Sequence, residues 1–280
     1  MFVKMSIITL TTDFGYKDHF VGAVKGAFHS ELKDPKIIDI SHGISPFNIV
    51  EGAYVLKNAY LNFPEGSIHI IGIDSEKSPD NQHIAMLLQG HYFICANNGI
   101  MSLIAAQVSP TKVVEIDIHD AIQSNFTVLD VFVKVAAHIA RGGTLDVIGK
   151  PLKEMKVLVD ITPSINKQGT IIKGSVLYVD NYGNVITNIR KSTFQEIGKS
   201  RPFTVYARNH EFKVIHSCYS DAIRFDIPKS QREEDGKRLA LFNSAGYLEL
   251  AIYKSNPKTS GGASSLFGLN YRDAVTINFD

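Results

Sequence analysis

The sequence predicts an α/β fold in which a largely parallel sheet covered by helices is followed by a C-terminal antiparallel β-barrel-like domain. Apolar, β-branched runs alternate with helical patterns up to about residue 160. The polar stretch TPSINKQG then interrupts this order with a Pro and a terminal Gly. Beyond it, short strand patterns follow one another. We therefore predict an α/β domain over residues 1–160, a linker over 161–170 and a β domain over 171–280.

The elements of the first half follow in order along the chain. SIITLTT is typical of a buried strand, and HFVGAVKGAFHSEL places Val21, Val24, Phe28 and Leu32 at helical spacing. KIIDIS predicts a second strand, NIVEGAYVLKNAYLNF a second helix, and SIHIIGID a third strand after the turn FPEG. HIAMLLQGHYFICA predicts a hairpin at its Gln-Gly dipeptide, and the helices NGIMSLIAAQ and DVFVKVAAHIARGG flank the strand KVVEIDI. This order is typical of a helix-covered sheet.

The second half reads mainly as short strands separated by turn residues such as Asn-His and Ser-Ala-Gly. Seven patterns indicate strands: TIIKGSVLYVD, NVITNI, PFTVYA, EFKVIH, RLALFN, GYLELAIY and AVTINFD. Their regular spacing favours an antiparallel barrel or sandwich.

Composition excludes several classes of protein. Lys and Arg number 29 against 28 Asp and Glu, so neither nucleic acid nor a membrane surface is expected as a partner. Cys95 and Cys218 lie far apart, and no His or Cys spacing indicates a metal site, so no metal is expected. The N-terminal apolar run is short and no run approaches a membrane span, so we expect a cytoplasmic protein.

Polar or aromatic residues follow three successive predicted strands. Asp13 ends the first, His42 and Phe47 follow the second, and Asp74 ends the third. Ligands of open parallel sheets bind beyond the carboxyl ends of strands, so these residues predict a cleft at that edge. Two interpretations of Asp13 remain open, because its carboxylate either accepts hydrogen bonds from a ribose diol or caps the following helix.

The string VDNYGNVITNI in the second half also has two interpretations. Asp180, Asn181, Gly183 and Asn184 are typical of a turn between strands. Tyr182 is equally suited to stacking on an aromatic base, and Asn184 to hydrogen bonding with an adenine edge.

Six strings in order together resemble one family across almost the whole chain: TTDFG, IIDISHGISPFNIVEGA, FPEGSIHIIGID, FICANNGIMS, VDNYGNVITNI and NSAGYLELA. The family is that of the S-adenosyl-L-methionine (SAM) hydroxide adenosyltransferases, or SAM hydrolases, relatives of fluorinase and chlorinase. The resemblance implies a homotrimer and a site between the N-terminal domain of one subunit and the C-terminal domain of its neighbour. It further implies that SAM is a substrate and that no cofactor is needed.

The resemblance also implies individual ligand contacts. They are the ribose hydroxyls (Asp13), the walls around the ribose and its 5′ carbon (Phe47, Phe126), the methionine amino and carboxylate groups (Asp180, Ser244) and the adenine (Tyr182, Asn184).

The family reaction is displacement at the 5′ carbon by water, which gives adenosine and L-methionine. The resemblance implies an Asp-Arg-His catalytic set for this step. Asp74 matches the Asp, but the Arg position holds Asn81, within SEKSPDNQH, and the His position holds Thr127. A catalytic role for Asp74 is therefore expected without its two usual partners.

Three functions remain open at this point: water-dependent cleavage of SAM, binding of SAM or adenosine without turnover, and adenosyl transfer to a different nucleophile. Lys77 and His83 flank the altered loop and are either substitutes for the missing groups or surface residues. Halogenase activity is less well supported, because the halide pocket of the relatives has a Tyr at Asp74 and, in fluorinase, a Ser at Val128.

Overall fold

Two units, Met1–Val159 and Asp160–Asp280, make up the chain, and each has its own sheet and core. The structure is a computed structural model that describes residues 6–105, 108–117, 124–158, 162–234 and 236–280. Among the described helices, none combines the length and the apolarity needed to cross a bilayer.

The N-terminal unit alternates strands and helices. Its strands are β1 (Ile7–Thr12), β2 (Lys36–Ser41), β3 (Ile68–Gly72), β4 (His83–Leu88), β5 (His91–Ala96), β6 (Lys112–Ile116) and β7 (Gly149–Pro151). Its helices are α1 (Phe20–Glu31), α2 (Ile49–Lys57), α3 (Ile100–Ile104), α4 (Val133–Ala140) and α5 (Leu145–Ile148). A 3₁₀ turn over Tyr60–Asn62 and a π-helical segment over Val128–Phe132 complete the unit.

The seven strands form one mixed sheet in the order β2-β1-β3-β5-β4-β6-β7. Neighbours from β2 to β5 run parallel, whereas β4 is antiparallel to β5 and β6, and β7 to β6. The predicted hairpin causes this change: Gln89 and Gly90 both have positive φ, at 48° and 78°, as two-residue hairpin turns require. The α/β class is confirmed, with parallel strands on one side of the sheet and antiparallel strands on the other.

Helices cover both faces of this sheet. Successive residues of β3 point to opposite faces, so Ile70 packs in one core cluster and Ile71 in the other. The first cluster includes Phe28 of α1 and Phe132 beside α4, and the second includes Leu56 of α2. Every residue of β3 is buried, which is consistent with a sequence that is apolar except for His69.

The C-terminal unit consists mainly of strands. They are β8 (Ser164–Ile165), β9 (Ile171–Val179), β10 (Val185–Arg190), β11 (Phe203–Ala207), β12 (His210–Phe212), β13 (Ile215–His216), β14 (Arg238–Phe242), β15 (Tyr247–Ile252) and β16 (Ala274–Phe279). The helices are α6 (Lys191–Gly198) and α7 (Ala263–Phe267). Residues 161–170, predicted as a linker, contain β8, which pairs with β9.

Nine strands form a nearly closed, barrel-like sheet in the order β12-β11-β16-β9-β10-β15-β14-β13, with β8 attached to β9. All described pairs are antiparallel except β13 with β14. The predicted β-barrel-like architecture is thus confirmed. Helix α6 was not predicted from the sequence, because only Phe194 and Ile197 of this largely exposed helix pack on the core.

Candidate functional site

A cleft of about 520 Å³ opens in the N-terminal unit where β1 and β3 end. Five residues predicted from the sequence line it: Asp13, Phe47, Asp74, Phe126 and Thr127. The topology explains why the two acids share this cleft. Asp13 directly follows β1 and Asp74 lies two residues beyond β3, and these strands are parallel neighbours paired up to Thr12 and Gly72.

The carboxylate of Asp13 is held by a backbone group of another loop. Its Oδ2 accepts a hydrogen bond of 2.8 Å from the N–H of Phe47. The residue at the N-cap of α1 is His19, so the interpretation of Asp13 as a helix cap is wrong. Burial raises the pKa of Asp13, the hydrogen bond from Phe47 opposes this rise, and the charge of Asp74 adds to it.

Phe47 stands at the rim of the cleft in an unusual backbone conformation. Its φ is +61°, in the left-handed region that non-glycine residues seldom occupy, and its side chain is 72% exposed. Asn48 caps α2 immediately afterwards, and the Glu51 carboxylate accepts from the Asn48 side chain and the Ser45 backbone. The cap and the bond to Asp13 together hold Phe47 in place.

An aromatic cluster forms one wall of the cleft. The ring of Phe126 contacts Phe14 and Phe20 edge to face, with centroids 5.5 and 5.2 Å away. Both distances are in the favourable range for aromatic pairs. The wall is therefore fixed before any ligand binds.

The cleft is acidic. Asp13, Asp74 and Glu76 all line it, and none of the other described residues that line it is Lys, Arg or His. Among the described residues, no group of three or more His, Cys, Asp or Glu side chains is placed to bind a metal ion. The negative charge of these three carboxylates favours a cationic ligand.

Asn81, which the motif resemblance places at the position of the family Arg, holds the loop between β3 and β4. It is only 9% exposed, and its Nδ2 donates to the backbone oxygens of Asp74 and Glu76 at 3.1 and 3.0 Å. Asn98 donates to the same Asp74 oxygen at 3.2 Å. His83, whose Nε2 lies 3.0 Å from the Ser75 oxygen, is buried, so its interpretation as a surface residue is wrong.

Thr127 and Val128 follow Phe126 into the π-helical segment. Thr127 lines the cleft and is 7% exposed, so a hydroxyl stands at the position of the family His. Val128 is fully buried in the core of the unit. Neither residue supplies an acid or base.

In the C-terminal unit, Asp180 shapes the turn between β9 and β10. Its Oδ1 accepts from the backbone N–H groups of Tyr182 and Asn184 at 2.9 and 2.8 Å, and its Oδ2 accepts from the Asn184 side chain at 3.0 Å. Gly183 occupies the left-handed region at φ +75°. The turn interpretation of this string is confirmed, and Tyr182 is left 65% exposed.

Tyr182 and Asn184 line a second cleft of about 360 Å³ together with Tyr219. Tyr219 donates a hydrogen bond of 2.6 Å to Glu249, which is 3% exposed. Burial raises the pKa of Glu249, the hydrogen bonds of Tyr219 and Asn243 oppose the rise, and the charge of Asp180 adds to it. The sequence contained one signal for Glu249, a single acid within the apolar strand GYLELAIY, and this signal was missed.

Ser244 lies exposed in the turn between β14 and β15. The preceding Asn243 organises this turn, since its Oδ1 accepts from the N–H groups of Ala245 and Tyr247. Asn243 also hydrogen bonds to Glu249, which connects this turn to the buried carboxylate beside Tyr219.

Each unit matches one domain of the same family. Residues 8–149 match the SAM hydroxide adenosyltransferase N-terminal domain, and residues 174–276 match the C-terminal domain. The chain belongs to the SAM hydroxide adenosyltransferase family. The resemblance inferred from the motifs is confirmed, and membership of this enzyme family supports the expectation of an enzyme.

Individual relatives extend over nearly the whole chain. The (R)-S-adenosyl-L-methionine hydrolase of Methanocaldococcus jannaschii is 34% identical over 282 residues, covering 98% of this chain and 96% of that protein. A fluorinase from Actinopolyspora mzabensis is 24% identical over 97% of this chain and 96% of its own length. The crystal structure of an uncharacterised conserved protein from Thermotoga maritima superposes with a TM-score of 0.81 at 27% identity, covering 97% of this chain and all of that one.

Proposed function

We propose that this chain binds SAM and hydrolyses it to adenosine and L-methionine. Water attacks the 5′ carbon, the bond between that carbon and the sulfonium sulfur breaks, and one proton is released. Relatives named (R)-SAM hydrolases support this reaction and suggest the (R) sulfonium epimer as substrate.

One observation carries the proposal: two carboxylates at the ends of neighbouring parallel strands, Asp13 and Asp74, line one cleft. Asp13 uses one lone pair for the Phe47 N–H and retains others for the two ribose hydroxyls. The acidic lining complements the positive sulfonium of the substrate.

The proposed reaction needs no general acid for the leaving group, but it needs a base to activate the attacking water. The sulfonium leaves as a neutral thioether, so no group must protonate it. Water is a weak nucleophile, and Asp74 orients it and accepts its proton, a contribution of about 10²–10⁴ in rate. The wall built around Phe126 limits access of bulk water beside the reacting carbon.

For the rest of the ligand we propose the C-terminal unit. Asp180 pairs with the methionine ammonium, Ser244 with its carboxylate, Tyr182 stacks on adenine and Asn184 reads its edge. The resemblance implies that the two sets of residues meet between neighbouring subunits of a homotrimer.

A second candidate function is binding of SAM or adenosine without turnover. The Asn81 amide is committed to the backbone of its own loop, and Thr127 offers only a hydroxyl, so neither replaces the family Arg and His. A third, adenosyl transfer to another nucleophile, differs only in what attacks the 5′ carbon.

Prolonged incubation of the purified protein with each sulfonium epimer of SAM, followed by chromatography, separates these functions. Adenosine and methionine in equal amounts support hydrolysis, whereas 5′-halo-adenosine on addition of halide indicates halide transfer. A rise in melting temperature with adenosine or SAM, without product, indicates a binding protein. Asp13→Ala is the control for site binding. No product and no melting shift at millimolar ligand would contradict the whole proposal.

A further inference from the structure

A buried chain of polar side chains lies beneath the acidic cleft, at the ends of β1 and β2. His42 is its centre, and the side chain of this histidine is fully buried. Its Nδ1 lies 2.7 Å from Thr12 Oγ1, and its Nε2 lies 3.2 Å from Asp39 Oδ1. The other oxygen of Asp39 accepts from Lys25 Nζ at 2.6 Å.

One arrangement of the hydrogens fits these contacts. The backbone N–H of Phe14 donates to Thr12 Oγ1 at 3.3 Å, and the Thr12 hydroxyl donates to His42 Nδ1. The ring proton is then on Nε2, facing Asp39. Burial raises the pKa of Asp39, but the hydrogen bond from Lys25 and the adjacent His42 ring outweigh burial and leave the pKa lowered. The chain thus runs from a solvent-accessible lysine to the backbone beside Asp13.

His42 also joins the two loops that carry the ligand-facing groups. Its backbone oxygen accepts from the N–H of Gly15 at 2.8 Å, on the far side of Asp13 from Thr12. The third link between these loops is the bond from the Phe47 N–H to Asp13 itself. Asp13 therefore lies between two residues that His42 holds, and its carboxylate takes its position from the same loop pair.

We propose that His42 is a positioning residue that sets the preference of the cleft for ligands with a ribose 2′,3′-diol, by fixing Asp13 through Thr12. This inference rests on the proposed adenosine site. A carboxylate that its loop already holds in place binds both hydroxyls without a further loss of conformational entropy. A carboxylate on a relaxed loop must be ordered on binding, so its affinity for the diol is lower. Asp13 does not contact the base, so the affinity for a ligand without the diol should not depend on His42.

The comparison of adenosine with 2′,3′-dideoxyadenosine isolates this effect. Titration calorimetry gives the dissociation constant of each ligand for the wild-type chain, for Thr12→Val and for Thr12→Ser. Valine has the shape of threonine without the hydroxyl, and serine retains the hydroxyl. We expect the wild type to prefer adenosine by about tenfold or more, because hydrogen bonds to a charged carboxylate are strong. Thr12→Val should reduce that preference at least threefold, by roughly half a unit in log Kd, and Thr12→Ser should restore it.

His42→Asn and His42→Phe repeat the comparison from the other end of the hydrogen bond. Asparagine retains an acceptor for the Thr12 hydroxyl and phenylalanine does not. The outcome therefore does not depend on one variant folding. In an Asp13→Asn background, Thr12→Val should leave the remaining preference unchanged, since both changes act on the same contact.

The outcomes separate the inference from the function beneath it. If the wild type binds neither ligand, the proposed adenosine site is wrong, and the role of His42 is wrong with it. If the wild type prefers adenosine but Thr12→Val and His42→Phe weaken both ligands equally, His42 is merely structural and the inference alone is overturned. An additive effect of Thr12→Val in the Asp13→Asn background overturns it as well.

Discussion

The side-chain amide of Asn81 donates a hydrogen bond of 3.1 Å to the backbone oxygen of Asp74, seven residues earlier. A second bond reaches Glu76, and a β-bridge between Ser78 and Asn81 closes the loop. The residue at the position of the family Arg thus stabilises the loop that carries the proposed base. Its role is conformational, and no charge from this position reaches the cleft.

Asn81→Arg is therefore expected to destabilise the chain and to leave turnover no higher, alone or combined with Thr127→His. The change removes the Asn81 donor from the Glu76 oxygen and leaves the Asp74 oxygen with Asn98 alone, and an unsatisfied buried group costs about 1–3 kcal/mol. Urea unfolding measures this loss. Lys77→Arg, an exposed change in the same loop, is the control. A variant as stable as the wild type and more active would contradict the proposed role of Asn81 in stabilising this loop.

Asp74→Asn is expected to lower turnover of SAM by about 10²–10⁴, because the proposed base is removed while its shape is kept. Binding of adenosine should persist, and the pKa of Asp13 should fall, since the charge of Asp74 contributes to raising it. Glu76→Gln removes an equal charge from the same cleft and should affect turnover far less. Equal losses in the two variants would assign the effect to the electrostatic potential alone. Single-turnover rates and calorimetry provide the two measurements.

Two substitutions of Asp180 separate its turn from its proposed ligand contact. Asp180→Ala removes three accepted hydrogen bonds and should lower the free energy of unfolding by about 1–3 kcal/mol. Asp180→Asn keeps an oxygen for the backbone of Tyr182 and Asn184, so most stability should remain. Its affinity for L-methionine should still drop about tenfold, because the charge facing the ammonium is lost. Unchanged methionine affinity in Asp180→Asn would limit Asp180 to the turn.

Stability below neutral pH should depend on the buried pair His69 and His91. Burial, together with the charge of His91, lowers the pKa of His69 from 6.5 to about 3. The unfolded chain therefore binds the proton more readily between these values, so stability falls as pH drops from 6.5 towards 3. At pH 4.5 this effect amounts to roughly 3 kcal/mol. His69→Gln should flatten the dependence between pH 7 and 4.5, whereas the exposed His29→Gln should not.

Assembly tests the proposal that the two sets of ligand residues meet between subunits. We expect a trimer in light scattering and sedimentation at micromolar concentration, and we expect dilution to weaken SAM binding as the trimer dissociates. A monomer that binds SAM tightly would contradict the shared site.

The sequence predicted where Asp13 and Asp74 lie, because both are just beyond the ends of buried strands. The runs before Asp13 and Asp74 are rich in β-branched residues and lie buried in the sheet, so the sequence marks where both strands end. Because parallel neighbours end at one edge, the joint cleft followed from topology. Phe126 and Thr127 followed only from the resemblance, since a π-helical segment has no sequence pattern of its own.

Roles that depend on loop conformation were not predictable. Asn81 donates to backbone oxygens, which every residue has, so no pairing of side chains marks it in the sequence. Glu249 needed the barrel to bring Tyr219 beside it from thirty residues away. Both contacts become visible only when the backbone is in place.

The loop between β3 and β4 is largely independent of the sheet. Its hydrogen bonds close largely on itself, through Asn81 and the Ser78 bridge, and it lies outside the ladder of the sheet. A substitution within residues 75–82 is therefore expected to change the surroundings of Asp74 while the strands that hold Asp13 stay in place.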